Sequence, residues 1–374
     1  MYITLYKQNK RTTAHTNYAD TINLTGENIP EYYKTTLYIP PEKLRPNANA
    51  NIDGYRTTTA LEHALQLLEP YEYKPKDELY YEFKIPKRSG GLRTIDAPTD
   101  AFKEALSKVK DIFEKDIKCL PHAAAYAYVK NTSVYNALEK HQKNQSNWYL
   151  KIDLENFFPN CTPDLIYTQL LKLYPFTTLQ DTGRLHLKRI INICCLENGL
   201  PQGTPMSPLL TNLLMVPYDY QIHQYLTRGT GEHYVYTRYA DDILISCKNN
   251  FNFQELQNKL EEILAPFKIK KAKTRYGSKA GSNWNLGLML NKDNNITVGY
   301  RKKKLLNAML NNFMQSFNTE TQWNISDTQH LIGQLSYLKH IEPEYYTYII
   351  NKYNTKYNFS FSSAIKIILN PEQI

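Results

Sequence analysis

"YTRYADDILIS", residues 236–246, sets two adjacent carboxylates, Asp241 and Asp242, inside a run that otherwise has strand composition. The wider stretch "HYVYTRYADDILISC" (233–247) predicts two short strands with the aspartates at or beside a tight turn. An Asp-Asp pair in a turn is ordinary by itself, because turns accept Asp and solvent screens the repulsion. A third acid changes that reading. "NWYLKIDLENFF" (147–158) begins as a strand with Trp148, Leu150 and Ile152 on one face and Lys151 and Asp153 on the other. Antiparallel pairing of this strand with the hairpin brings Asp153, Asp241 and Asp242 together. Carboxylates held close repel unless cations neutralise them, so the trio predicts a Mg²⁺ site, whose hard oxygen ligands leave positions open for substrate phosphates. Two such ions can bind the attacking 3′-hydroxyl and the leaving pyrophosphate of nucleotidyl transfer. That chemistry is positioning and charge neutralisation and needs no covalent nucleophile from the protein.

Outward from these strands, "YYEFKIPKRSGGLRTIDAP" (80–98) predicts two strands joined by a basic Ser-Gly-Gly turn, and "AFKEALSKVKDIFEKDI" an amphipathic helix through Phe102, Leu106, Val109 and Phe113. "TTTALEHALQLLE" places Leu61, Ala64, Leu65 and Leu68 on one helical face. The preceding residues, 1 to about 55, are polar, and "IPPEKLRPNANANIDGY" (39–55) is too rich in Pro and Asn for regular structure; the expectation is an extension that wraps the body or a partner. After Pro201 a helix is expected with Ser207 as N-cap and Pro208 at its first position, broken or kinked near Val216 by Pro217. Asn252 and Glu255 form a capping-box-like start to a helix with Leu256, Leu260, Ile263 and Leu264 on one face. From residue 300 the chain is helical, with Leu305, Leu306, Met309, Leu310, Phe313, Met314 and Phe317 on one broad stripe. The whole is α+β rather than regularly alternating βαβ.

The chain has 374 residues and a formal net charge of +9, which favours a polyanionic partner such as nucleic acid. Its 31 Tyr could supply stacking surfaces for bases, although the joint abundance of Asn, Lys, Tyr and Ile points more simply to coding bias. Five Cys with no C-x-x-C pair argue against a disulfide framework or a zinc site and for a reducing, cytoplasmic compartment. The N-terminus lacks the apolar core of a signal peptide and no apolar run has membrane-spanning length, so no membrane association is expected.

"YADD" (239–242), "LKIDLENFFPN" (150–160), "GLPQGTPMSP" (199–208) and "RSGGLRTIDAP" (88–98) together resemble reverse transcriptases in order and spacing, most closely the bacterial retron-type enzymes. The resemblance runs from about residue 80 to 357, through "AAYAYVKNTSVYNALEKH" (124–141), "AKTR" (272–275), "NLGLMLN" (285–291) and the helical tail. It implies a right-hand polymerase: an N-terminal extension and start of the fingers over 1–79, fingers and an antiparallel palm over 80–299, and a small helical thumb over 300–374. Asp153 and Asp241 match the principal metal ligands, with Asp242 the third acid. Phe158 matches the aromatic residue that closes the sugar pocket against a 2′-hydroxyl and favours dNTPs; a core aromatic beside Phe157 is the plainer reading. Gln202 and Gly203 match a loop along the incoming nucleotide. Arg93 matches a fingers cation whose planar guanidinium suits a triphosphate, whereas Lys87 and Arg88 are expected to be solvated or backbone-contacting. Lys273 matches a lysine near the leaving pyrophosphate, with a solvated basic run as the equal alternative. Leu286 and Gly287 resemble the element that holds the primer end, and Lys302, Lys303 and Lys304 would track backbone phosphates unless they are merely a solvated helix end.

Implied partners are an RNA template, in retrons a structured non-coding RNA, together with dNTPs, a DNA product and an accessory effector protein; the implied role is antiphage defence. Two retron features are altered. The N-A-x-x-H motif appears as "NALEKH" (136–141), with one extra residue before His141, and the V-T-G triplet is replaced by Asn285-Leu286-Gly287; both bear on recognition of a cognate RNA. A defence-associated reverse transcriptase making untemplated or protein-primed DNA is the alternative within the enzyme class. A non-catalytic RNA-binding scaffold is the alternative outside it, and the clustered acids argue against it.

Overall fold

In the computed structural model, residues 2–6, 19–23, 50–86, 90–228, 233–279, 283–317, 319 and 323–369 are described. A hairpin of β1 (Tyr2–Tyr6) and β2 (Ala19–Asn23) precedes the body. The body opens with helix α1 (Ala50–Leu68), short helix α2 (Lys76–Leu79), hairpin β3 (Tyr80–Pro86) and β4 (Leu92–Pro98), and helices α3 (Asp100–Asp111) and α4 (Val134–Lys143). Strand β5 (Trp148–Asp153) leads through helices α5 (Phe157–Asn160), α6 (Pro163–Leu170), α7 (Asp181–Cys194) and α8 (Met206–Arg228) to strands β6 (Val235–Tyr239) and β7 (Asp242–Cys247). After α9 (Phe253–Ile263) come β8 (Arg275–Ser278) and a small sheet of β9 (Asn283–Asn285), β10 (Leu288–Leu290) and β11 (Ile296–Thr297). Four helices close the chain: α10 (Tyr300–Ser316), α11 (Ile325–Ile341), α12 (Pro343–Tyr357) and α13 (Phe361–Leu369).

The central sheet has the order β6-β7-β5-β8, all antiparallel. Its two faces feed two cores. Leu150, Ile152, Ile243 and Ile245 pack against α1, α3, α6, α7, α8 and α9, while Tyr149 and Leu244 on the opposite face join Trp284, Leu306, Leu310, Phe313, Leu331 and Leu335. The final helices thus share a core with the back of the sheet instead of forming a separate unit, because alternate strand positions are apolar on both sides.

Several expectations are corrected. Helix α1 starts at Ala50, inside the stretch read as irregular, and Leu61, Ala64, Leu65 and Leu68 lock it into the first core. Residues 50–55 are therefore the first turns of that expected helix and not part of a wrapping extension, since the helix's apolar face has α3 and α7 to bury against. Helix α8 begins at Met206, with Ser207 already inside it and donating its N–H to Thr204 Oγ1 at 3.2 Å, so Thr204 does the work assigned to Ser207. The helix also continues through Pro217. A mid-helix proline costs ~3 kcal/mol or more; neighbouring Leu213, Leu214, Met215 and Val216 are completely buried, and each such side chain is worth ~1.5–3 kcal/mol. Packing therefore outweighs propensity. Leu305, counted on the stripe of α10, is 52% exposed. Lys87 and Arg88 lie outside the described residues.

Candidate active site

Strand register decides the geometry of the acids. In the β5–β7 ladder Asp153 faces Asp242 directly, and the N–H of Leu154 donates to the carbonyl of Asp241 at 3.2 Å. The β6–β7 hairpin turns on Ala240 and Asp241, with Ala240 in the left-handed region at φ 56°. All three acids therefore meet at one end of the sheet. Two lysines reach them: Lys273 Nζ lies 3.1 and 2.9 Å from the two carboxylate oxygens of Asp153, and Lys151 Nζ lies 3.1 Å from Asp242. Burial pushes the carboxyls of Asp241 and Asp242 up from the usual range; neighbouring acids add to this, and Lys151 opposes it at Asp242. Hydrogen bonding to Asp153 pushes Lys273 up from the usual lysine range, which holds the ammonium charged.

Among the described residues no group of three or more His, Cys, Asp or Glu side chains is arranged to hold a metal ion as it stands. The chemistry of the three carboxylates nonetheless suits one. The donors are all oxygen, as hard divalent cations require, and two ammonium groups stand against the three carboxylates.

The other expected residues divide. Phe158 is partly buried, its ring edge-on to Phe157 at 5.9 Å and to Tyr128 at 6.4 Å. Phe157 is the one in the core, at 3% exposure. Gln202 and Gly203 lie beside the β3–β4 hairpin: the carbonyl of Gln202 accepts from the N–H of Asp96 at 2.9 Å. Gly203 has φ 130°, and a Cβ there would meet the carbonyl oxygen of Asp96 at 2.9 Å, so both backbone angle and space call for glycine. Arg93 is exposed on β4 of that hairpin. Leu286 (φ 45°) and Gly287 (φ 103°) make the tight turn between β9 and β10, with Leu286 exposed.

On α10, Lys302 donates to Gln334 Oε1, and Lys303 pairs with Glu342 while lying 4.5 Å from the Tyr345 ring centroid. Lys304 is exposed. Two of the three lysines thus turn into the helical bundle, because α11 and the start of α12 offer them acceptors.

His141, the last residue of the altered motif, faces inward. It is completely buried in the palm, bonded through Nδ1 to Ser246 Oγ at 2.5 Å and through Nε2 to Thr237 Oγ1 at 2.8 Å, and burial lowers its pKa to about 3. A neutral imidazole that clamps β6 to β7 has no surface to offer RNA.

Other residues of the site were missed in the sequence. Lys151 was placed on the face of Asp153 without a role, although its alternation alone puts it beside Asp242. Tyr128, 55% exposed, stands against Phe158. Arg238 and Asp219, both fully buried, form an ion pair behind the acidic turn at 2.8 Å.

A family model described as reverse transcriptase (RNA-dependent DNA polymerase) matches residues 85–290. The chain is 31% identical to the Retron Ec73 reverse transcriptase of Escherichia coli over 73% of its own length and 86% of that protein's. It is 29% identical to the Retron Ec83 reverse transcriptase of the same organism, over 77% and 89%. Among solved structures, an apo telomerase from Candida tropicalis aligns with TM-score 0.45 at 12% identity, over 79% of this chain and 61% of that one. With helices and antiparallel sheets in an α+β right-hand arrangement, the chain belongs to the reverse transcriptase family as a retron-type RNA-directed DNA polymerase.

Proposed function

We propose that this RNA-directed DNA polymerase copies a structured non-coding RNA and serves antiphage defence, with Asp153, Asp241 and Asp242 holding divalent ions, Mg²⁺ by preference. The observation that carries the catalytic part is the register that sets Asp153 opposite Asp242 beside the turn at Asp241. When bound, such ions neutralise charge at the attacking 3′-hydroxyl and the leaving pyrophosphate. The protein's own residues do the rest. Lys273, kept protonated by Asp153, supplies positive charge for the pyrophosphate side. Arg93, on the same strand β4 whose Asp96 bonds to the Gln202-Gly203 loop, takes the triphosphate, and Phe158 with its edge-on neighbours limits room at the sugar 2′ position. Residues 80–299 act as fingers and palm and 300–374 as thumb, with Leu286 and Gly287 at the primer end and Lys304 facing the phosphate backbone. Kinship with the retron enzymes supports the template class and the defence role.

The test is to purify the wild type and Asp241→Asn from cells, extract nucleic acid with and without protease digestion, and sequence it. DNA of defined sequence joined to a structured RNA, present with the wild type and absent with the variant, is the expected result. Repetitive DNA, or DNA released only by proteolysis, would replace the templated reading with untemplated or protein-primed synthesis.

A further inference from the structure

The strand that leads into the acidic turn carries a charge with no outlet to solvent. Among the described residues Arg238 heads the fully buried side chains by volume, and its partner Asp219 is equally enclosed. The guanidinium grips both oxygens of Asp219, Nε at 2.9 Å and Nη2 at 2.8 Å, and the hydroxyl of Tyr236 adds a third bond at 2.5 Å. An enclosed ion pair says little about function by itself, because apolar side chains of similar volume often serve stability as well. The remaining donor is more informative. Arg238 Nη1 lies 3.2 Å from the carbonyl oxygen of Ala240 and 3.3 Å from Asn212 Oδ1.

Ala240 immediately precedes Asp241 and is held at φ 56°, a conformation that a residue with a Cβ keeps only where its surroundings over-determine it. Arg238 supplies that determination by fixing the carbonyl that the left-handed turn points inward. Asn212 and Asp219 are two turns apart on α8, hence on one face, and both meet the guanidinium. The amide nitrogen of Asn212 also holds the carbonyl of Ala127 at 2.9 Å, next to Tyr128. The backbone of Arg238 is pinned as well: its N–H donates to Ala124 at 2.6 Å and its carbonyl accepts from Tyr126 at 2.8 Å. One buried node therefore ties α8, the 124–128 segment and the acidic turn together.

We propose that Arg238 is a positioning residue, anchored by Asp219, that sets the Ala240–Asp241 turn and through it the affinity of the three acids for their divalent cation. This rests on the reading of Asp153, Asp241 and Asp242 as the cation's ligands. Lysine cannot replace the guanidinium, because an ammonium lacks the planar fork needed to serve two carboxylate oxygens and a carbonyl at once.

The test uses the full chain and measures Mn²⁺ binding directly by electron paramagnetic resonance, alongside single-turnover dNTP addition on an RNA–DNA primer-template and thermal melting. For Arg238→Lys the expected result is Mn²⁺ binding weakened ~10–100-fold, the usual cost of losing a group that orients metal ligands. The maximal rate drops by up to about 10²-fold with the KM for primer-template unchanged. Tyr236→Phe, which removes only one bond to Asp219, should shift Mn²⁺ affinity the same way by less. The double variant Arg238→Met with Asp219→Leu leaves no charge stranded in the core; it should melt near the wild type and still bind Mn²⁺ poorly. Wild-type Mn²⁺ affinity and rate in Arg238→Lys and in the double variant, with only the melting temperature altered, would overturn the proposal. Asp241→Asn is run in parallel: wild-type binding and synthesis there would show that the reading of the acids has failed, and the proposal with it.

Discussion

Asp219 and Asp242 are both drawn into the palm, and the protein treats them in opposite ways. Asp219 is closed off: completely buried, with both oxygens on Arg238 and a hydroxyl from Tyr236 besides. Asp242 belongs to an open cluster at the sheet's end, where three carboxylates face two lysines and the carboxyls of Asp241 and Asp242 are pushed up by burial. The first arrangement is charge-balanced and directional, so its return is a single rigid geometry. The second is one positive charge short, so it remains receptive to a cation. Stability and reactivity are thereby assigned to neighbouring carboxylates by the number of donors each receives.

The sharpest way to break this contrast is to remove one acid from each cluster. Asp241→Asn should lower the rate of DNA synthesis by about 10³-fold or more, as expected when a residue acting within a catalytic unit is lost. Its melting temperature should stay the same or rise, because a mutual repulsion is relieved. Asp219→Ala should do the reverse in kind. It strands the Arg238 charge in the core, where breaking a buried pair costs ~3–5 kcal/mol, read as a fall in urea midpoint with the slope retained. Loss of stability in Asp241→Asn, or none in Asp219→Ala, would erase the distinction.

A milder probe acts within the open cluster. Burial raises the carboxyl of Asp242 and Lys151 counteracts that rise. Lys151→Met should therefore raise it further. A carboxyl must be ionised to hold a cation, so the variant loses activity at a higher pH than the wild type as pH falls. The two profiles should converge on the alkaline side. Coincident acid limbs would show that Lys151 does not tune the site.

How far the sequence foretold this contrast follows from the range of the signals. The shared face of Asp153 and Lys151 was legible because strand alternation is local, although the role of Lys151 was not, and the meeting of Asp153 with Asp242 needed only one antiparallel pairing. The closed cluster was not legible. Asp219 lies on α8 and Arg238 on β6, and no periodicity links positions in two different elements. Tyr149 was left off the apolar face because only one side of β5 was taken as core, whereas its ring stacks on Trp284 at 5.2 Å in the second core. Pro217 misled for the same reason in reverse: a local helix breaker was overruled by burial that only the assembled fold creates. His141 was legible as a motif position, but its enclosure by Thr237 and Ser246 depends on the palm sheet already being formed.

Helix α10 repeats the contrast in lysines and gives the smallest expected effect. Lys303 is closed: it pairs with Glu342, whose other carboxylate oxygen accepts from Thr297 Oγ1 at 2.9 Å and from the N–H of Val298 at 3.0 Å. That carboxylate fastens the strand β11 to the helices, so Lys303→Ala should lower the melting temperature by leaving Glu342 one cation short. Lys304 is exposed one residue further along α10. If it meets a backbone phosphate, Lys304→Ala should reduce the salt dependence of primer-template binding by about one unit of slope, uniformly across sequences, with melting unchanged. The decisive comparison is binding at several salt concentrations for both variants. A slope lost in Lys303→Ala but kept in Lys304→Ala would mean that the ion pair with Glu342 opens on RNA and that exposure, in this helix, does not mark the phosphate contact.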